Sequence, residues 1–332
     1  AAVVGQILGG VIVDADLFGL VWRPVFLLNV PIGIAAVFAA PRLIAESRST
    51  TAARLDLPGV ALSAIGLSLL LYPLVEGRDA GWPLWTLALL AASIPALAVF
   101  AAHQYRKSRR RDSPLLDVRL FLNRAVVIGV LAALVLYTVL NSFYVFLAFL
   151  LQAGLKNSPF VAGLLITPLA VAYVAAAFIA GRLGPRANRR VLVTGGTVLT
   201  IAYAMTALTT WHAATLRGVE LIPALVMIGM GQGLLITPLI NMILSNVSAS
   251  DAGAAAGLVS TMQQVGGALG VAIVGILFFG ALELAGPTPP DARAYADAFT
   301  VALIYEVAAA AVTTVLLICL PAQASGGPTD AD

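Results

Sequence analysis

The chain has 332 residues, 60% of them hydrophobic and 11% charged, with a mean hydropathy of +0.97, and a water-soluble domain cannot hide that much apolar surface. The net charge of +3 and the pI near 9.2 do not point to nucleic acid, because the basic residues sit in short stretches between apolar blocks, where membrane topology accounts for them. One cysteine, Cys319, and two histidines, His103 and His212, cannot form a disulfide within the chain and leave too few ligands for a cysteine or histidine metal centre.

Ten apolar blocks follow one another along the chain: Ala1–Val13, Val25–Ala40, Leu57–Val75, Leu84–Ala102, Ala125–Leu151, Val161–Ala180, Val191–Thr210, Leu221–Leu244, Ala252–Leu282 and Phe299–Leu320. Most reach the roughly 20 residues that cross a hydrocarbon core as a helix, the form in which a backbone satisfies itself in lipid. An all-α polytopic membrane protein of about ten transmembrane helices is therefore expected, the first of them truncated. Ala1 is not a methionine and lies inside an apolar run without the basic leader of a signal peptide, so it reads as a break in a longer protein.

Placing Ala1 on the cytoplasmic side puts fourteen of the nineteen basic residues in cytoplasmic loops, among them Arg106, Lys107, Arg109, Arg110 and Arg111. Arg23, Arg78, Lys156, Arg217 and Arg293 fall on the opposite face. Short loops rich in Lys and Arg resist translocation, so both ends of the chain are expected in the cytoplasm. Trp22, Trp82, Trp85 and Trp211 lie near span ends and suit an interfacial aromatic belt. The tail 322–332, rich in Gly, Pro and Asp, reads as disordered. One heptapeptide, Gly-Leu-Leu-Ile-Thr-Pro-Leu, occurs at Gly163–Leu169 and again at Gly233–Leu239; in so limited an alphabet this reads as coincidence. Its prolines, Pro168 and Pro238, remove a backbone donor, and Thr167 and Thr237 are placed to satisfy the freed carbonyls.

Several stretches carry more information. Gly5-Gln6-Ile7-Leu8-Gly9-Gly10 places Gly5 and Gly9 on one helix face, where a neighbouring backbone can approach. It is followed by Trp22-Arg23-Pro24 and by Phe26-Leu27-Leu28-Asn29-Val30-Pro31-Ile32-Gly33. Together these strings resemble the antiporter signature of helix five and the opening of helix six in the fourteen-helix drug:proton antiporters of the major facilitator superfamily; where Gln6 stands, the family usually has proline. The resemblance continues in order through Leu57-Pro58-Gly59 to Gly81-Trp82, through Pro114 to Phe121, and through the Gly-rich run from Ala252 to Gly270.

The resemblance implies helices five and six of an N-terminal bundle over residues 1–56, two inserted linker helices and a cytoplasmic loop over 57–124, and a C-terminal six-helix bundle over 125–321. It implies that about four helices precede Ala1, and that two bundles enclose a midplane cavity opened alternately to each side. The activity it implies is export of hydrophobic or cationic drugs across a bacterial inner membrane in exchange for protons, with the proton gradient as energy source and no cofactor. Partners are then the lipid bilayer and small lipophilic or cationic substrates, with an envelope adaptor protein open as a further one. Gly181, Arg182, Arg186, Arg189 and Arg190 lie in the loop where the family has a cytoplasmic gate; basic side chains there either pair with helix ends or serve topology alone.

Within the spans, Glu306 is the acid placed well inside, where ionisation is expensive. It is either a proton-coupling carboxyl or a neutral, hydrogen-bonded one. Tyr137, Asn141 and Tyr144 are spaced by four and three and share a helix face. With Tyr173, Gln232, Asn241, Gln263 and Gln264 they are candidates for the cavity wall, against the alternative of interhelical hydrogen bonds. No His-Glu-x-x-His pair, phosphate-binding loop or nucleophile elbow is present, so no enzyme is expected. Two other readings stay open beside drug export: a dedicated exporter of a metabolite, lipid precursor or siderophore, and a non-transporting membrane remnant or assembly partner.

Overall fold

In lipid an apolar run must pair its own N–H and C=O groups, and each long run here does so as a helix. The computed structural model describes residues 2–15, 19, 23–43, 56–77, 80–110, 118–183, 188–212, 215–247, 252–285 and 290–321. The elements are α1 (Ala2–Asp14), α2 (Arg23–Leu27), α3 (Asn29–Leu43), α4 (Leu57–Glu76), α5 (Leu84–Arg110), α6 (Arg124–Ala148), α7 (Pro159–Leu183), α8 (Asn188–His212), α9 (Ile222–Ser245), α10 (Ala252–Leu284) and α11 (Ala292–Ile318). Among the described residues nine helices are long and apolar enough to cross a membrane, with α2 and α3 together forming the first. The 13-residue α1 is shorter. Arg186, Trp22 and the tail 322–332 lie outside the described residues.

Helices α6 to α11 pack around α6, whose Val126, Ala132, Leu136, Val139 and Leu147 are fully buried. α6 packs on α10 and α11, α7 on α9, and α8 on both α9 and α11. Glycines set the closest approaches. A Cβ at Gly229 or Gly233 of α9 would strike the α7 backbone at Leu169 or Tyr173, and one at Gly266 or Gly270 of α10 would strike the α6 backbone at Leu134 or Thr138. Small residues at such points let packing replace the hydrophobic drive that lipid does not supply.

α4 and α5 form a hairpin turned by Gly81 and Trp82, both at positive φ (73° and 52°), and α4 leans on α10. α1 packs on α7, where Gly10 meets the backbone of Phe160 and Ser158 Oγ donates to Asp14 Oδ2 at 2.8 Å. Gly5 and Gly9, expected to admit a neighbouring backbone, face open space, so the close approach falls one residue later, at Gly10.

Pro168 and Pro238 are accommodated inside α7 and α9. Thr167 does not rescue the carbonyl freed by Pro168, which belongs to Leu164 four residues back; its hydroxyl donates to Gly163 O at 2.9 Å. Thr237 is exposed. Beyond Ala148, α6 loosens into one π-helical turn, Phe149–Gly154, which the apolar pattern alone does not signal.

Candidate functional site

The polar side chains inside the spans fall into two groups around α6, on neighbouring faces. Thr138 and Ser142 lie on the face buried against α11. Ser142 Oγ donates to Glu306 Oε1 at 2.7 Å, and Tyr305 Oη donates to Thr138 Oγ1 at 2.9 Å. Glu306 is 1% exposed, and its second oxygen, Oε2, has no hydrogen-bond partner. Tyr203 of α8 is fully buried and packs edge-on against Phe143, next to Ser142 in the chain, at 5.0 Å between ring centres. A carboxyl at this depth is a costly element, and such groups in membranes mark functional paths far more often than packing.

The second group lies on the side of α6 turned to α9, α10 and α7. Tyr144 Oη donates to Gln232 Oε1 at 2.8 Å, and Gln263 Nε2 donates to Tyr137 Oη at 2.8 Å. Tyr137, Tyr144, Gln263 and Tyr173 of α7 are half-buried, whereas Gln232 is buried. Rings with a polar tip, partly open to space, suit flat lipophilic or cationic molecules.

The remaining cavity candidates separate from these. Asn141 donates to the Tyr137 carbonyl at 3.3 Å and, with Gln264, lines a cleft of about 750 Å³ between α6, α10 and α4. Along the face that Tyr137, Asn141 and Tyr144 share, Tyr137 and Asn141 meet Gln263 and Gly267 of α10, and Tyr144 meets Gln232 of α9. Asn241 is exposed, nine residues beyond Gln232 on α9.

Of the residues expected in a gate loop, Gly181 and Arg182 belong to the last turn of α7 and Arg189 and Arg190 to the first turn of α8; Arg189 donates to the Ile318 carbonyl at the end of α11, a cation at a helix C-terminus. Arg182 lies 4.3 Å from the centre of the Phe178 ring, and Gly181 and Arg190 are exposed. Among the described residues no cluster of three His, Cys, Asp or Glu side chains is placed to hold a metal ion.

Sequence reasoning missed Ser142, Tyr203 and Thr138, although Thr138 and Ser142 form a second polar stripe at helical spacing beside the one that was read. It also missed a cluster at the head of the hairpin. Asp56 caps α4 by accepting from Gly59 N at 3.1 Å and from Gln104 Nε2 at 2.9 Å, and its Oδ1 lies 3.2 Å from both His103 Nε2 and Lys107 Nζ. Burial pushes this carboxyl up, but the hydrogen bonds from Gln104, His103, Gly59 and Lys107 outweigh it and hold Asp56 below the usual carboxylate range.

Fold and site thus define an all-helical, multi-pass membrane protein with one polar group inside the α6–α11 bundle built on Glu306 and a second at the α4–α5 hairpin built on Asp56. Residues 1–271 match the model of the Major Facilitator Superfamily, and the chain belongs to that superfamily of membrane transporters. It is 39% identical over 283 residues to a probable actinorhodin transporter of Streptomyces coelicolor, an alignment covering 85% of this chain and 49% of that one. It is 36% identical over 329 residues to the cephamycin export protein CmcT of Amycolatopsis lactamdurans, covering 98% and 65%. It is 32% identical over 325 residues to the puromycin resistance protein pur8 of Streptomyces alboniger, covering 95% and 62%. The chain therefore spans about half to two thirds of the length of these curated relatives.

Proposed function

We propose that the protein exports antibiotics or other lipophilic, often cationic compounds across the bacterial inner membrane in exchange for protons, by alternating access, as a fourteen-helix drug:proton antiporter. The observation that supports export is the agreement of the relatives, each named for the transport, export or resistance of an antibiotic. Glu306 supports protons as the coupling ion: of the described acids it is the one buried in the middle of a spanning helix. A carboxyl that takes up a proton when facing one side and releases it when facing the other couples the two fluxes. The half-buried Tyr137, Tyr144 and Tyr173 are the groups proposed to contact the exported molecule.

The test is ethidium accumulation in a pump-deficient bacterial host with and without the gene. Expression is expected to lower accumulation several-fold, and a protonophore to abolish the difference; equal accumulation in the two hosts would reject multidrug export. The relative at 39% identity is named for a single compound, which favours a second reading, a dedicated exporter of one metabolite. Resistance to one compound of a panel, with ethidium unaffected, would select it.

A further inference from the structure

The cleft between α4, α6 and α10 has walls of two kinds. At one end the rings of Phe146, Phe149 and Phe279 meet: Phe146 and Phe149 lie nearly parallel, with centres 6.0 Å apart at 24°, and Phe279 stands edge-on to Phe149 at 5.3 Å. Phe149 opens the π-helical turn of α6, a kind of irregular turn that recurs at functional sites. About 12 Å back along α6 from Phe149 stand two carboxamides. A Cβ on Gly267 would lie 2.5 Å from Asn141 Nδ2, and Gln264 is one turn before Gly267 on the same face of α10. Asn141 Nδ2 donates to the Tyr137 carbonyl, but its Oδ1 and the carboxamide of Gln264 have no hydrogen-bond partner among the described residues. Both residues lie well inside spanning helices, where a carboxamide facing hydrocarbon without a partner is costly. Packing alone does not account for two of them side by side in one cleft.

We propose that this cleft is a second binding site of the protein, apart from the Tyr144–Gln232 pair, and that it takes flat, uncharged aromatic compounds carrying carbonyl or hydroxyl groups. The inference rests on the export reading above in taking that ligand as cargo. Phenylalanine rings that meet edge-on and nearly parallel hold a flat ring between or against them. A carboxamide both donates and accepts, so Asn141 and Gln264 match a carbonyl or a hydroxyl on the ligand's edge. No charged side chain lines the cleft, so nothing there offsets the desolvation of a cation, and the site favours neutral molecules. The far wall is α4, through Leu71, Leu74 and Val75, which makes the α4–α5 hairpin part of the site. Cargo held there is one residue away from the tyrosine group: Gln264 faces the cleft, and its neighbour Gln263 donates to Tyr137 Oη.

The experiment uses membranes and pump-deficient cells carrying the gene, with two fluorescent probes: Nile red, flat and uncharged with a carbonyl, and ethidium, flat and cationic. In a Cys319→Ser background, Ala268→Cys places a thiol in the cleft wall, and its labelling by N-ethylmaleimide is timed with and without each probe. Nile red is expected to slow labelling several-fold and ethidium to leave it unchanged. Adding Gln264→Leu should raise the Nile red concentration needed for protection roughly tenfold. In cells, Leu74→Trp fills the cleft from α4; it should cut Nile red efflux several-fold and leave ethidium efflux as in wild type. Labelling that Nile red does not slow would overturn the site, and equal protection by ethidium would overturn its preference for uncharged ligands. Loss of both effluxes in Leu74→Trp would make α4 a packing element and remove the hairpin from the site. Cells that export neither probe, in membranes where Nile red still protects Ala268→Cys, would reject export and keep the binding site, so the two readings fail separately.

Discussion

Ser142 and Glu306 are 164 residues apart and meet at 2.7 Å with both side chains buried. Among the described residues the serine is the only donor to the carboxyl, so its removal leaves both acid oxygens unpaired. Ser142→Ala is expected to cost about 1–3 kcal/mol of stability, seen as a lowered thermal denaturation midpoint in detergent, and an unchanged midpoint would mean the carboxyl finds another partner. At this scale the sequence exposed one half of the site. Glu306 was legible because an acid in an apolar run has no cheap explanation. Ser142 and Tyr203 were not, because spacing along one helix fixes a face without telling which helix will lie against it. The same limit explains why Tyr137, Asn141 and Tyr144, rightly placed on adjacent turns, meet Gln263, a cleft wall and Gln232 respectively.

Helix pairs are where glycine and capping have their effects. Gly270 of α10 touches the α6 backbone at Thr138, whereas Gly257, more than three turns earlier on the same helix, has nothing within 4 Å. Gly270→Ala should therefore push α6 and α10 apart and destabilise by about 1–3 kcal/mol, while Gly257→Ala should stabilise by about 0.4–1 kcal/mol through the unfolded chain. Thermal midpoints moving in the same direction would contradict this account of the α6–α10 contact. The α4–α5 hairpin depends on Asp56. Because its folded carboxyl is held below the ordinary range, its contribution is fully present above the ordinary carboxylate pKa and is lost as pH falls through the depressed folded value. Asp56→Asn keeps a cap of similar strength but loses the ion pairing with Lys107 and His103, so it is expected to lower stability at neutral pH by about 1 kcal/mol and to flatten the loss of stability as pH falls below about 4. A mutant with the wild-type acid limb would assign that limb to other groups. Helix positions were largely readable from apolar length, but the hairpin cluster was hidden because Asp56 sits in a polar connection, where an acid needs no explanation.

Across the whole molecule, the distribution of Lys and Arg leads to an expected orientation, with the chain ends in the cytoplasm, that the helices alone do not give. Cys319, exposed at the end of α11, offers a direct check. With Cys319→Ser as background control, a membrane-impermeant maleimide should label Cys319 in everted vesicles and not in intact cells; the reverse pattern would invert the topology. The bundle α6–α11 carries the buried carboxyl and the half-buried tyrosines in one packed unit, so the groups proposed for coupling and for binding would move together if the bundle rocks. The central claim is that drug moves one way as protons move the other. Its most direct measurement is the pH gradient itself, followed with a ΔpH-sensitive dye in respiring everted vesicles while ethidium is added. The account predicts that ethidium partly dissipates the gradient in vesicles carrying the protein and leaves it intact with Glu306→Gln; a gradient that ethidium does not disturb, in vesicles that nonetheless accumulate ethidium, would contradict it.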